Sequence, residues 1–151
     1  MTGLRADPGD ANCKSMARCD LEPIRPSEGR RHRGRVNDLA GRAGEDAALR
    51  AYADLGYRPV TRRWRGPAGE IDLIFKTESG AVLFVEVKSG ATHDRAAERI
   101  STRQVRRIFR SAEAYVAKEP KGSLTPFRID ACLVDATGVV KIMENAFAGF
   151  F

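Results

Sequence analysis

Apolar positions change their period along this chain, and each change marks an element. Within residues 36–55 the side chains of Ala48, Tyr52 and Leu55 recur at helical spacing, and Gly56 follows where a helix C-terminus takes a left-handed residue. Residues 58–65 then read as a strand, broken by the turn formers Gly66, Pro67 and Gly69. Two further runs, 70–76 and 81–88, are dense in Ile, Val, Leu and Phe and flank a Ser79-Gly80 turn, the signature of a β-hairpin. After a loop over 89–97, helical periodicity returns across 98–118 through Ile100, Val105, Ile108, Phe109, Ala112 and Val116, and Pro120 stops it. Runs 127–134 and 139–143, around Thr137-Gly138, form a closing strand pair. The order α-β-β-β-α-β, with that last short strand, predicts an α/β fold: a mixed β-sheet flanked by helices.

Residues 1–35 break from this pattern. They carry Pro8, Pro23 and Pro26 and the basic run Arg30, Arg31, His32, Arg33 and Arg35, with almost no apolar periodicity. A disordered basic arm is expected there, followed by a single domain over 36–145 and a short tail over 146–151.

The hairpin carries the chemistry, because acids sit inside strands that are otherwise apolar, and a buried charge needs a partner. If Glu78, Ser79 and Gly80 form a three-residue loop with Gly80 left-handed, Thr77 pairs with Ala81. Counting back along that register sets Asp72 opposite Glu86 and Glu70 opposite Lys88, all on one face. A two-residue loop would shift the register by one and separate the two acids. Side-by-side carboxylates repel, and a divalent cation relieves that repulsion; hard oxygen ligands favour Mg²⁺ or Mn²⁺. Lys88 would add positive charge beside it, orienting a water or stabilising an anionic transition state. The competing arrangement is an ion-pair network on an exposed sheet face, with Glu70 on Lys88 and Asp72 on a nearby arginine. Glu45 shares the helical stripe of Ala48, Tyr52 and Leu55, so it points toward the sheet.

Composition narrows the partner. With 151 residues, 42% hydrophobic and 30% charged, the chain is long enough for one cored domain and is not broadly disordered. A formal net charge of +6 favours a polyanion, nucleic acid above all, with DNA placed ahead of RNA. Arg99, Arg103, Arg106 and Arg110 recur at spacings of four, three and four, which aligns them on one face of the second helix as a track for phosphates. Trp64 and Tyr57 are as readily core as stacking surface, and no base-reading motif is visible. Cys13, Cys19 and Cys132 are an odd set without metal-ligand spacing, and His32 and His93 are not paired, which argues against structural zinc and for free thiols in a reducing compartment. No run is long and apolar enough for a membrane span or a signal peptide, so a cytoplasmic location is expected.

The acid of one strand followed by Glu-x-Lys in the next resembles the signature of the PD-(D/E)xK, restriction-endonuclease-like superfamily. The wider context is more specific: Gly41-x-x-Gly44-Glu45-x-x-Ala48, Gly56-Tyr57, Gly69-Glu70-Ile71-Asp72-Leu73-Ile74, Phe84-Val85-Glu86-Val87-Lys88 and Arg128-x-Asp130 follow in the order of the YraN-like family of small bacterial nuclease-like proteins, over residues 39–143. The resemblance implies a metal-dependent endonuclease acting on nucleic acid in a setting such as DNA repair or recombination. In it Asp72, Glu86 and Glu45 would be metal ligands and Lys88 the catalytic lysine; beside these, Glu70 and Gln104 are candidates to line the pocket. This chain departs from the family where Thr-Arg usually follows the lysine, having Ser89 and Gly90, and where Gln104 replaces a lysine, with Arg103 adjacent. A nucleic-acid-binding module that keeps the fold and cuts slowly or not at all is the alternative these departures leave open.

Overall fold

The computed structural model describes residues 28–150, with side chains from Asn37 onward. Of the disordered arm expected over 1–35, residues 1–27 lie outside the described residues, and 28–35 belong instead to the first helix. Helix α1 (Glu28–Asp54) begins eight residues before the helix the apolar pattern predicts, because its early turns present no apolar stripe from which a start can be read. It ends as the sequence suggests: Gly56 takes φ +90°, and the Tyr57 N–H reaches back to the Tyr52 carbonyl at 3.1 Å. Leu55, expected on the buried stripe, is instead 61% exposed, since the helix stops at Asp54 and the chain turns away there.

Strands β1 (Arg58–Arg65), β2 (Glu70–Lys76), β3 (Val82–Ser89), β4 (Phe127–Val134) and β5 (Val140–Met143) form one sheet in that spatial order. All neighbours are antiparallel except β3 and β4, which run parallel. A parallel pair needs a crossover, and here it contains two helices, α2 (His93–Ala97) and α3 (Thr102–Val116), where the sequence suggests one. Thr92 caps α2 and Ser101 caps α3, each accepting a backbone N–H three residues on (3.2 Å in both), so residues 98–101 are a joint between helices. The expected mixed sheet flanked by helices is present.

Both faces of the sheet are covered. One buries Ile74, Val82, Phe84, Ile129 and Ala131 under Val105, Ile108, Ala112 and Val116 of α3. The other buries Leu73, Phe75, Leu83, Val85 and Cys132 under Ala48 and Tyr52 of α1. Trp64 meets Tyr115 edge to face at 5.2 Å and Tyr57 meets Tyr52 at 5.8 Å, so both are structural packing residues. The residues read as a C-terminal tail contribute too: Phe147 is 4% exposed in the α3-side core, and the Ala146 N–H pairs with the Ile129 carbonyl at 3.2 Å. Among the described residues no helix is long and apolar enough to cross a membrane.

A buried acid ties these parts together. Asp130, fully buried on β4, accepts from Arg128 Nε (2.8 Å) and Nη2 (2.9 Å), from the Tyr52 hydroxyl (3.0 Å) and from the Asn145 N–H (2.8 Å). Helix α1, the sheet and the C-terminal segment thus share one carboxylate, whose charge also joins burial in pushing the Cys132 thiol up to about 12. Removing one partner of such a buried pair strands the other. Asp130→Ala is expected to lower the unfolding free energy by about 3 kcal/mol or more, read as the shift in urea midpoint at unchanged slope. A loss below about 0.5 kcal/mol, the scale of an exposed surface change, would contradict this role.

Candidate functional site

The β2–β3 turn has the geometry on which the predicted site depends. Gly80 sits at φ +86°, a backbone region that a residue with a Cβ rarely enters, and the Thr77 N–H donates to the Ala81 carbonyl at 3.0 Å. The register then runs Lys76↔Val82, Phe75↔Leu83, Ile74↔Phe84 and Leu73↔Val85, which brings Asp72 level with Glu86.

At that level the ladder gives way. The Val87 N–H donates at 2.8 Å to Asp72 Oδ2, a side chain standing in for the backbone acceptor, so the carboxylate lies in the fork between β2 and β3. The cause is a change of face. Ile71 and Ile74 belong to the α3-side core, whereas Leu73 and Phe75 belong to the α1-side core, which strict alternation forbids. The adjoining strand does the same: Arg62 reaches α1 while Trp64 packs toward α3. The β1–β2 pairs Arg62↔Leu73 and Trp64↔Ile71 bracket the rung that joins Arg63 to Asp72. Arg63 there adopts φ +48°, a left-handed backbone that is uncommon outside glycine.

Around Asp72 the predicted residues separate into groups. Glu86, 2% exposed, faces α3, and its Oε1 accepts from both Lys88 Nζ and Gln104 Nε2. Gln104 thus reaches the site directly, while Arg103 stays on the exposed side of α3. Glu70 does not join them: the strands have parted, and it pairs at the exposed edge with Arg65 at 3.2 Å. The alternative pairing of Glu70 with Lys88 is not formed either. Glu45, 6% exposed, points at the sheet as its stripe predicts, but both its oxygens are held by Arg63, Nε at 3.1 Å to each and Nη2 at 3.0 Å to Oε1. Gly44 permits this approach of α1, since a Cβ there would meet Ser89 Oγ at 2.3 Å.

Glu45, Asp72, Lys88, Ser89 and Arg99 line one cleft of about 230 Å³. Arg99 stands in the joint between α2 and α3, not on the α3 stripe, and donates to the Ser89 carbonyl at 2.9 Å. It supplies a guanidinium to the cleft where the family's arginine after the lysine is missing. Gly90 cannot restore that arginine, because a Cβ there would lie 2.6 Å from the Ala96 backbone nitrogen. Arg103, Arg106 and Arg110 remain on one exposed face of α3, as their spacing predicts.

Burial first, then the charge of Glu86, pushes the Asp72 carboxyl up to about 7, against the opposing pull of the Val87 N–H and Lys88. No three Asp, Glu, His or Cys side chains among the described residues gather closely enough to hold a metal by themselves. Asp72 and Glu86 nevertheless suit a hard divalent cation. Asp72 Oδ1 and Glu86 Oε2 have no donor among the described residues, and Mg²⁺ commonly takes only one or two carboxylates and keeps waters. Arg62 and Arg63 are the site residues that sequence reasoning missed. Their signal lies in the β1–β2 register, which an arginine doublet in an edge strand does not disclose.

These features define a small α/β protein whose mixed sheet opens, at the parting of β2 and β3, into a cleft lined by two carboxylates, a lysine and an arginine. The chain belongs to the uncharacterised protein family UPF0102, the family described above as YraN-like, whose profile matches residues 44–134. It is 50% identical over 115 residues to a UPF0102 protein of Ruegeria pomeroyi, covering 76% of this chain and 93% of that one. A UPF0102 protein of Cereibacter sphaeroides is 49% identical over 115 residues, covering 76% and 97%, and one of Dinoroseobacter shibae is 36% identical over 126 residues, covering 83% and 92%.

The raised Asp72 value carries a stability consequence of definite sign. Between the unfolded value near 3.9 and the folded value of about 7, the folded state keeps a proton that the unfolded chain has released, so metal-free stability falls as pH rises through that window. Asp72→Asn keeps an acceptor for Val87 but cannot ionise. In EDTA the variant is expected to melt close to wild type at pH 4 and clearly higher at pH 8, by thermal unfolding followed with circular dichroism. A difference independent of pH would refute the buried, repelled carboxylate.

Proposed function

We propose that this protein is a metal-dependent phosphodiesterase that cuts nucleic acid, with Asp72 and Glu86 as the ligands of Mg²⁺ or Mn²⁺. The observation that carries the reading is the Asp72 carboxylate in the strand fork, level with Glu86 and beside Lys88, where two acids are drawn together at a cost in repulsion. The cation, when bound, supplies Lewis-acid stabilisation and a more acidic water. The chain's own groups do the rest. Lys88, anchored on Glu86, offers positive charge where a phosphodiester gains negative charge, and Gln104 holds the Glu86 carboxylate in place. Arg99 at the cleft and Arg103, Arg106 and Arg110 on α3 suit the phosphate backbone, which makes recognition one of backbone and shape, with DNA favoured over RNA. Glu45 neutralises Arg63 beside the cleft and so belongs to the support of the site.

One observation favours a second reading, a nucleic-acid-binding module without turnover: Glu86 and Glu45 already have protein cations as partners. A panel of end-labelled single-stranded, duplex and branched DNA and RNA, incubated with Mg²⁺ or Mn²⁺, separates the two. Cleavage is expected, abolished by EDTA and reduced at least 100-fold (about 2.7 kcal/mol at the transition state) in Asp72→Ala and Lys88→Ala. Binding without cleavage, unaltered by either substitution, would establish the module.

A further inference from the structure

A second concavity lies against the first. Arg42 and Asp46 of α1 and Arg62 and Arg63 of β1 enclose a cleft of about 350 Å³, and Glu45 forms part of its wall and of the wall of the Asp72 cleft. Its arginines are only partly used. Arg63 spends Nε and Nη2 on Glu45, with Nη1 3.8 Å from Asp38. Arg62 spends Nη2 on Asp46 at 2.7 Å and lies 3.5 Å from Glu45, and Arg42 spends Nε on Asp38 at 3.3 Å. A guanidinium has five donors in a rigid fork, so each of these ion pairs engages only part of an arginine and leaves N–H groups for a further acceptor.

The backbone states the same preference. Arg63 holds a left-handed conformation, at φ +48°, that is strained for a residue with a Cβ. That conformation lets Arg62 and Arg63, which are consecutive, both address α1, where a regular strand would send them to opposite faces. The rung it occupies is that of Asp72.

We propose that the cleft between α1 and β1 is a phosphate subsite: Arg62 and Arg63, with Arg42 at its mouth, bind a phosphate flanking the one that faces Asp72. Arg63 is then a substrate-positioning residue, oriented by Glu45. This rests on the nucleic-acid reading above and adds to it the direction of the strand, which leaves the Asp72 cleft across Glu45 toward β1. It also assigns Glu45 a task other than metal ligation.

The test measures binding in EDTA, so that cleavage plays no part: fluorescence anisotropy of a labelled oligonucleotide, single-stranded and duplex, titrated over a range of salt. Asn tolerates left-handed backbone best among residues with a Cβ, so Arg63→Asn removes the charge with the least disturbance. Arg58→Asn, on the same strand and outside the cleft, is the control of equal charge. Arg63→Asn is expected to bind about tenfold more weakly than wild type and to reduce the slope of log affinity against log salt by about 0.9 on duplex, with Arg58→Asn close to wild type. Arg62→Gln is expected to act like Arg63→Asn and decides the matter alone if thermal unfolding shows that variant to be misfolded. If Arg62→Gln and Arg63→Asn match Arg58→Asn while the wild type binds, the subsite is wrong and the nuclease reading stands. If the wild type binds no oligonucleotide, both fall.

Discussion

The pleat of a β-strand sends successive side chains to opposite faces, and a pair of strands escapes that alternation only where the backbone leaves the β region. Here two neighbouring strands escape it at the same rung. Arg63 enters the left-handed region, Asp72 turns its carboxylate into the fork between β2 and β3, and a buried core continues on either side of the sheet. A kink in one strand only would have put Leu73 opposite a residue of the wrong face and exposed one of them. Matching the two keeps Arg62↔Leu73 and Trp64↔Ile71 each on a common face; the β1–β2 register also shifts by one residue between Pro59 and Thr61.

From that rung the remaining geometry follows. Because Asp72 takes the Val87 N–H, β2 and β3 part beyond it and Glu70 goes to the exposed edge. Because β3 continues alone on that side, Glu86 and Lys88 keep their regular face and meet the first turn of α3 at Gln104. The parallel pairing of β3 with β4 runs the full length of both strands, from Val82↔Phe127 to Ser89↔Val134, and fixes the floor against which these side chains stand. The Asp130 network then locks α1 onto that floor through Tyr52, and α1 in turn carries Glu45 to the cleft.

The sequence discloses what is periodic or local. Strands β1, β2 and β4 are legible to the residue because apolar density and turn formers bound them, and the register of the hairpin follows from Gly80 alone. The interruption between α2 and α3 is hidden because Ile100 is partly buried on the α3-side core from the joint itself, so the apolar count continues through a segment that is not helical. Arg99 falls on the apparent helical stripe for the same reason. The role of Glu45 is legible only halfway: its helical phase gives its direction, but its partner Arg63 depends on a backbone angle that no neighbouring residue type announces.

The distribution of charge across the sheet separates two tasks. In the cleft between α1 and β1 each arginine is tied to a carboxylate, Arg42 to Asp38, Arg62 to Asp46 and Arg63 to Glu45, so little net field remains. On α3, Arg103, Arg106 and Arg110 have no ion pair among the described residues and lie exposed on one face. Unpaired surface charge acts at the range of the Debye length, about 8–10 Å at physiological salt, and serves encounter. Arginines already paired with carboxylates act chiefly at contact and serve register. On the proposed nucleic-acid reading, a backbone drawn in along α3 would be aligned by the α1 side, and the carboxylates of Asp72 and Glu86 stand between these two surfaces, where neither set of arginines neutralises them.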